Sequence, residues 1–162
     1  MEAPEPLVRA EDDIGLLCMV IANGFNDTVL DRLVGKGFGD AKFGHGFIVQ
    51  GLLAGDRTAT ELAQRLGISL QAVSKTVREM KSLGYLESTR DPADGRARRL
   101  GLSARGLANL AEARRARFEI MSRLEQRLGR KQTGEALKLL RALAVEFGGL
   151  EAMAERRLRP RD

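Results

Sequence analysis

The chain has 162 residues, 43% of them apolar, and a formal net charge of +5 at pH 7. That length supports one domain with a sizeable core and leaves room for an arm that joins copies. A single cysteine (Cys18) rules out an intramolecular disulfide, and with a single histidine (His45) it also rules out a structural zinc site of cysteine and histidine ligands.

Residues 1–10 carry two prolines and acidic side chains with no periodicity, and read as a flexible N-terminal segment. They lack the basic and apolar regions of a signal peptide. No apolar run is expected to reach the ~18 residues that span a membrane, so the expected location is the cytoplasm. Charge is uneven along the chain. Glu2, Glu5, Glu11, Asp12 and Asp13 oppose a lone Arg9, whereas arginines crowd the stretch from Arg90 to Arg130. Such asymmetry points one face toward a polyanion and keeps the other end away from it.

Residues 11–54 read as two N-terminal helices with a dimerisation and supporting role. In the first, Ile14, Leu17, Cys18, Ile21, Phe25, Val29 and Leu33 fall near one stripe. Gly35, Gly37 and Gly39 interrupt it, and the segment to Gly46 reads as a flexible connection. A short helix follows over about 45–53. Its His45, between Phe43 and Phe47, is placed to line a pocket between the helices and the next lobe, although nothing identifies a ligand.

Residues 55–102 form the densest block. Thr58 and Glu61 have the spacing of a capping box, Leu62, Ala63 and Leu66 supply an apolar face, and Gly67 is a natural helix stop. Ser69 can cap the next helix after a short turn. Val73, Val77, Met80 and Leu83 then form a buried stripe, which leaves Gln71, Ala72, Ser74, Lys75 and Arg78 outward. These short polar and basic residues at a helix start suit the major groove. Gln71 has the chemistry to pair with adenine and Lys75 with guanine. Ser69 and Ser74 can hold phosphate or bases, and Arg78 a phosphate.

Two strands are expected next, over residues 85–89 and 98–102. Between them, Asp91, Pro92, Ala93, Asp94 and Gly95 are strong turn formers. The hairpin tip displays Arg96, with Arg98 and Arg99 behind it, and Arg96 suits a narrow minor groove. Asp94 reads as the partner that orients a neighbouring arginine. Residues 103–162 form two C-terminal helices. Ser103 caps the first, whose stripe is Leu107, Leu110, Ala111, Phe118, Met121, Leu124 and Leu128, up to Gly129. The last runs from about Thr133 through Leu137, Leu140, Leu143, Phe147, Leu150, Met153 and Leu158. The small central module cannot cover all these stripes, which favours a dimer built from the chain ends.

The fold class is therefore mainly α with a small β-hairpin, a winged helix-turn-helix flanked by N- and C-terminal dimerisation helices. Thr60-Glu61-Leu62-Ala63, Gly67-Ile68-Ser69, Leu83-Gly84-Tyr85-Leu86, Asp91-Pro92-Ala93-Asp94-Gly95-Arg96 and Leu102-Ser103-Ala104-Arg105-Gly106 together resemble the MarR family of winged-helix regulators. Gly95 stands where many members have arginine, and Ser103 where many have threonine. The resemblance implies a homodimer on a pseudo-palindromic DNA operator. It implies repression more often than activation, relieved by a small anionic or aromatic ligand or by oxidation. One branch of that family senses organic peroxides through a lone cysteine in its first helix, about where Cys18 sits. That branch also supplies tyrosines, whereas here the one tyrosine is Tyr85, and Cys18 reads more readily as a small buried hydrophobe. A helical interaction module that does not read DNA is the alternative from another class. An enzyme is not expected: Cys18 and His45 form the only nucleophile–base pair and lack a third member, and nothing calls for a cofactor or metal.

Overall fold

In a computed structural model, which describes residues 9–53, 55, 58–90 and 98–149, the chain is mainly helical with one two-stranded sheet among the described residues. A 3₁₀ turn, Ala10–Asp12, leads into α1 (Ile14–Val34). Then come α2 (Phe43–Leu52), α3 (Ala59–Leu66), α4 (Leu70–Ser82), β1 (Leu86–Arg90), β2 (Arg98–Leu102), α5 (Ala104–Leu128) and α6 (Arg130–Glu146).

The helix starts follow local chemistry. Asp13 caps α1 by accepting from the Leu16 amide at 3.0 Å. Thr58 and Glu61 bond reciprocally at the start of α3, Ser69 accepts from the Ala72 amide, and Ser103 from that of Gly106. Each satisfies an amide that the first helical turn leaves without a partner. Gly67 closes α3 at φ +65°, a left-handed conformation that side-chain-bearing residues resist.

Two apolar clusters organise the chain. The larger joins α2, α3, α4 and the hairpin through Ile48, Leu52, Leu62, Leu66, Val73, Val77, Met80, Tyr85, Leu86 and Leu100. The smaller joins α1 to α5 through Val29, Leu33, Ala116 and Ile120. Phe38 and Ala41, between α1 and α2, pack against both. The glycine-rich connection is thus a tied-down bridge between two cores, not the flexible link its composition suggested.

Other expectations shift. Of the proposed α1 stripe only Val29 and Leu33 are buried, with Phe25 half-buried; Ile14, Leu17, Cys18 and Ile21 are exposed. In α5 the buried positions are Gly106, Ala116 and Ile120, whereas Leu107, Leu124 and Leu128 are exposed and Phe118 is 72% exposed. Helix α1 crosses α5 at Ala113, Ala116 and Ile120, where the small alanines let the two backbones approach. Contrary to expectation, α1 is long and apolar enough to cross a membrane by length and composition. Uncharged Asn23, Gly24 and Asn26 leave that run unbroken until Asp27. Its C-terminal part is nonetheless committed to α5, and Arg32 pairs with Glu119 at 3.2 Å.

The first strand begins one residue late. The Tyr85 amide is spent on the Met80 carbonyl (2.8 Å), which closes α4 beyond its last turn. Helix α6 starts at Arg130 rather than Thr133, because Gly129 both ends α5 and precedes α6. Leu150, Met153 and Leu158 lie outside the described residues.

Candidate nucleic-acid interface

Helix α4 sits on the lobe core by Val73, Val77 and Met80, all buried. That anchoring turns Gln71, Ala72, Lys75 and Arg78 to solvent, with Ser74 half-buried. Ser69 stands at the N-terminus of α4, where amides and the helix dipole favour negative charge. Leu70, 49% exposed beside Gln71, was missed. The signal was a leucine at the helix start that falls off the Val73–Val77 stripe. An exposed aliphatic group there has the chemistry to meet a thymine methyl.

The hairpin pairs Leu86 with Leu102, Ser88 with Leu100, Thr89 with Arg99 and Arg90 with Arg98. Arg98 turns back onto β1: its Nε donates to Ser88 Oγ at 3.2 Å and its Nη2 to the Ser88 carbonyl at 3.1 Å. Lys81 Nζ donates to the same hydroxyl at 2.9 Å, tying the end of α4 to the hairpin. Arg98 is therefore first a brace of the stem. Arg99 is half-buried opposite Thr89. Arg90, not singled out in the sequence, is exposed across from Arg98. Like charges in register repel each other, and a polyanion alongside would relieve that repulsion. Asp94 and Arg96 lie outside the described residues.

A clamp fixes this hairpin to the rest of the chain. The Tyr85 hydroxyl donates to Asp40, and Arg105 Nη2 donates to both Asp40 oxygens at 3.0 and 2.9 Å. Arg105 also donates to the Leu83 carbonyl, and its guanidinium stacks 4.5 Å from the Tyr85 ring centre. The Tyr85 hydrogen bond, and after it the Arg105 guanidinium, hold the Asp40 carboxyl below its ordinary value. Burial, and then Asp40, push the Tyr85 phenol up to about 12. Gly106 has no room for a side chain, since a Cβ there would lie 2.1 Å from the Tyr85 carbonyl oxygen. Nothing in the spacing of residues 40, 85 and 105 announces this cluster.

A cleft of about 130 Å³ opens between α1, α2 and α5, and its walls include Asn26, Lys42, His45, Asn109, Arg114 and Arg117. Among the described residues, no aspartate or glutamate lines it. Arg117 stacks 5.2 Å from the Phe25 ring centre and donates to Asn26 Oδ1 at 3.1 Å. Burial lowers its affinity for the proton. His45 Nε2 and Asn109 Nδ2 are buried without a hydrogen-bond partner. Buried donors left unmatched are costly, and an acceptor-rich anion in the cleft would satisfy them. His45 thus does line a cleft between the helices and the lobe. Cys18 is exposed on α1 rather than buried, and Tyr85 is engaged in the clamp, in the other cluster of the chain.

The MarR family sequence profile matches residues 51–97. No curated protein matches the chain. Among solved structures, the transcriptional repressor CouR bound to a 23-mer DNA duplex is 25% identical, with a TM-score of 0.63 over 88% of this chain and 99% of its own. The YusO protein of Bacillus subtilis is 20% identical, with a TM-score of 0.65 over 86% and 98%. A cysteine-to-serine mutant of Escherichia coli MarR complexed with operator DNA is 18% identical, with a TM-score of 0.65 over 86% and 99%. The fold is that of MarR-family transcription regulators, a winged helix within a mainly helical chain.

Proposed function

We propose, for a chain whose central segment is that of the MarR family and whose fold matches its regulators, a sequence-specific DNA-binding repressor of the cytoplasm. It acts as a homodimer on a pseudo-palindromic operator and is released by a small anionic ligand. The observation that carries this reading is the outward face of α4. Its buried stripe leaves Gln71, Lys75 and Arg78 exposed at the start of a capped helix, beside a hairpin whose stem is basic. A helix so presented fits the major groove, and the hairpin would follow the backbone into the minor groove. Two similar structures are described as bound to DNA, which supports DNA as the partner here.

In this reading Ser69, Gln71, Ala72, Ser74, Lys75 and Arg78 meet the major groove, with Leu70 added. Arg96 enters the minor groove, oriented by Asp94, and Arg98 and Arg99 support it. The exposed apolar residues of α1 and α6, Ile14, Leu17, Ile21, Leu140 and Val145 among them, are the pairing surface. The ligand site is the cleft, whose cations and unmatched donors favour an anion of small aromatic size.

Selection of binding sites from random duplex DNA tests the reading. Enrichment of a palindrome with half-sites about one helical turn, ~10 bp, apart is expected. No enrichment would favour a helical interaction module instead.

A further inference from the structure

We propose that His45 is a proton-sensitive latch between α2 and the recognition helix α4: neutral His45 holds the DNA-reading arrangement, and protonated His45 releases it. The inference rests on the DNA-reading role of α4 proposed above.

His45 is the chain's single histidine and is only 6% exposed. Its Nδ1 accepts the Lys42 backbone amide at 3.2 Å, which secures the first turn of α2. Accepting there requires an unprotonated Nδ1, so the ring hydrogen sits on Nε2. Nε2 has no hydrogen-bond partner and lies 3.8 Å from Glu79 Oε1 on α4, too far for a direct bond. Glu79 is meanwhile held by the Lys42 ammonium. The neutral state thus keeps one bond at the start of α2 and one ion pair from α2 to α4.

A second proton reverses both. It goes to Nδ1, which then presents a donor to the Lys42 amide, and donor against donor breaks the cap. The buried imidazolium, 3.8 Å from the Glu79 carboxylate, draws that carboxylate away from Lys42. The base of α4 follows Glu79, and the start of α2 loosens.

The other titratable and charged groups facing His45 come from every element packed against it. From α2 there is Lys42, from α4 Glu79 with Lys75 near it. From the connection there is Asp40, from the hairpin base Tyr85 with ring centres 6.0 Å apart, and from α5 Arg105, with Arg114 and Arg117 lining the same cleft. Lys42 holds the Glu79 carboxyl, and Tyr85 the Asp40 carboxyl, below their ordinary values; the Tyr85 phenol is pushed up to about 12. Burial lowers the His45 pKa below its ordinary value of 6.5, against a smaller opposing pull from Glu79.

If DNA binds only the neutral form, DNA must lower the His45 midpoint, and acid must weaken DNA binding by the same factor. A one-unit difference in midpoint corresponds to about tenfold in affinity. The sign is diagnostic, because a protonation that merely added positive charge near a polyanion would strengthen binding.

The test uses the full chain with isotope-labelled histidine, titrated by NMR from about pH 8 to about pH 5 with and without a selected duplex, alongside affinity at constant ionic strength. Expected are a free-protein midpoint below 6.5, a lower one with DNA, and about a tenfold loss of affinity toward the acid end. His45→Asn keeps an acceptor for the Lys42 amide but cannot titrate, and its affinity should be flat or rise on acidification. Glu79→Gln, offered should that variant not fold, should lower the midpoint and flatten the response. An acid loss of affinity equal in wild type and variant, or a midpoint that DNA leaves unmoved or raises, overturns the latch. Failure to bind any duplex at any pH overturns the DNA reading instead. The latch is then judged by hydrogen exchange at the Lys42 amide: exchange that fails to quicken as His45 protonates, beyond the solvent's own pH dependence, overturns it too.

Discussion

The winged lobe and the helices around it dispose of their apolar residues in opposite ways. In the lobe, Ile48, Leu62, Leu66, Val73 and Met80 are almost wholly buried against one another. In α1, α5 and α6, Ile14, Leu17, Ile21, Phe118, Leu128, Leu140 and Val145 remain exposed, and only Val29, Leu33, Ala116 and Ile120 close a small cluster. The lobe is satisfied by its own chain. The outer helices leave a broad apolar surface exposed, the surface proposed above for pairing. The two regions are therefore expected to fail differently when altered.

The largest effect should come from the lobe. Leu62→Ala empties a fully buried site and should cost about 2–5 kcal/mol in denaturant unfolding. A smaller loss would mean that the core collapses around the gap. Next comes Ile21→Asp on exposed α1. It should leave the monomer's fold intact while weakening self-association by tenfold or more, read by sedimentation, since charge is depleted from the cores of stable interfaces. Equal association in both proteins would remove α1 from the pairing surface.

Within the region proposed to face DNA, Gln71→Ala or Lys75→Ala should change base preference by about 1–3 kcal/mol at one position per half-site. Arg96→Ala should instead weaken binding to all duplexes alike and flatten its salt dependence. Binding that is insensitive both to Arg96→Ala and to salt would falsify the division of labour between helix and hairpin. The smallest effect concerns the clamp between the two regions. The Asp40 carboxyl is held below its ordinary 3.8, so its contribution to stability is present above that pH and is lost as pH falls through the lowered folded value. Asp40→Asn should remove that part of the acid dependence and lower the melting temperature by a few degrees, about 1 kcal/mol for a domain this size. An unchanged acid limb would show that the clamp adds nothing.

The lobe was the legible part. Caps at Thr58, Ser69 and Ser103, the stop at Gly67 and the stripe from Val73 to Met80 all stand where local rules put them, because capping and period are properties of adjacent residues. The outward face of α4 was legible as the complement of that stripe. Leu70 and Arg90 were not, since apolarity disqualified one and a strand end misplaced by a residue hid the other. The α5 stripe was legible only as an apolar face; which of its positions meet α1, Ala116 and Ile120, and which stay exposed, Phe118 and Leu128, was not.

The sequence by itself determined the order of elements, the self-contained winged lobe and the face that α4 turns outward, since each depends on residues within a few turns of one another. Only the tertiary structure decided which groups meet across long separations: Asp40 with Tyr85 and Arg105, His45 near Glu79, and Arg117 with Asn26 beside the cleft. Periodicity reports which side of a helix is buried. It cannot report what that side is buried against, because that depends on how whole helices cross.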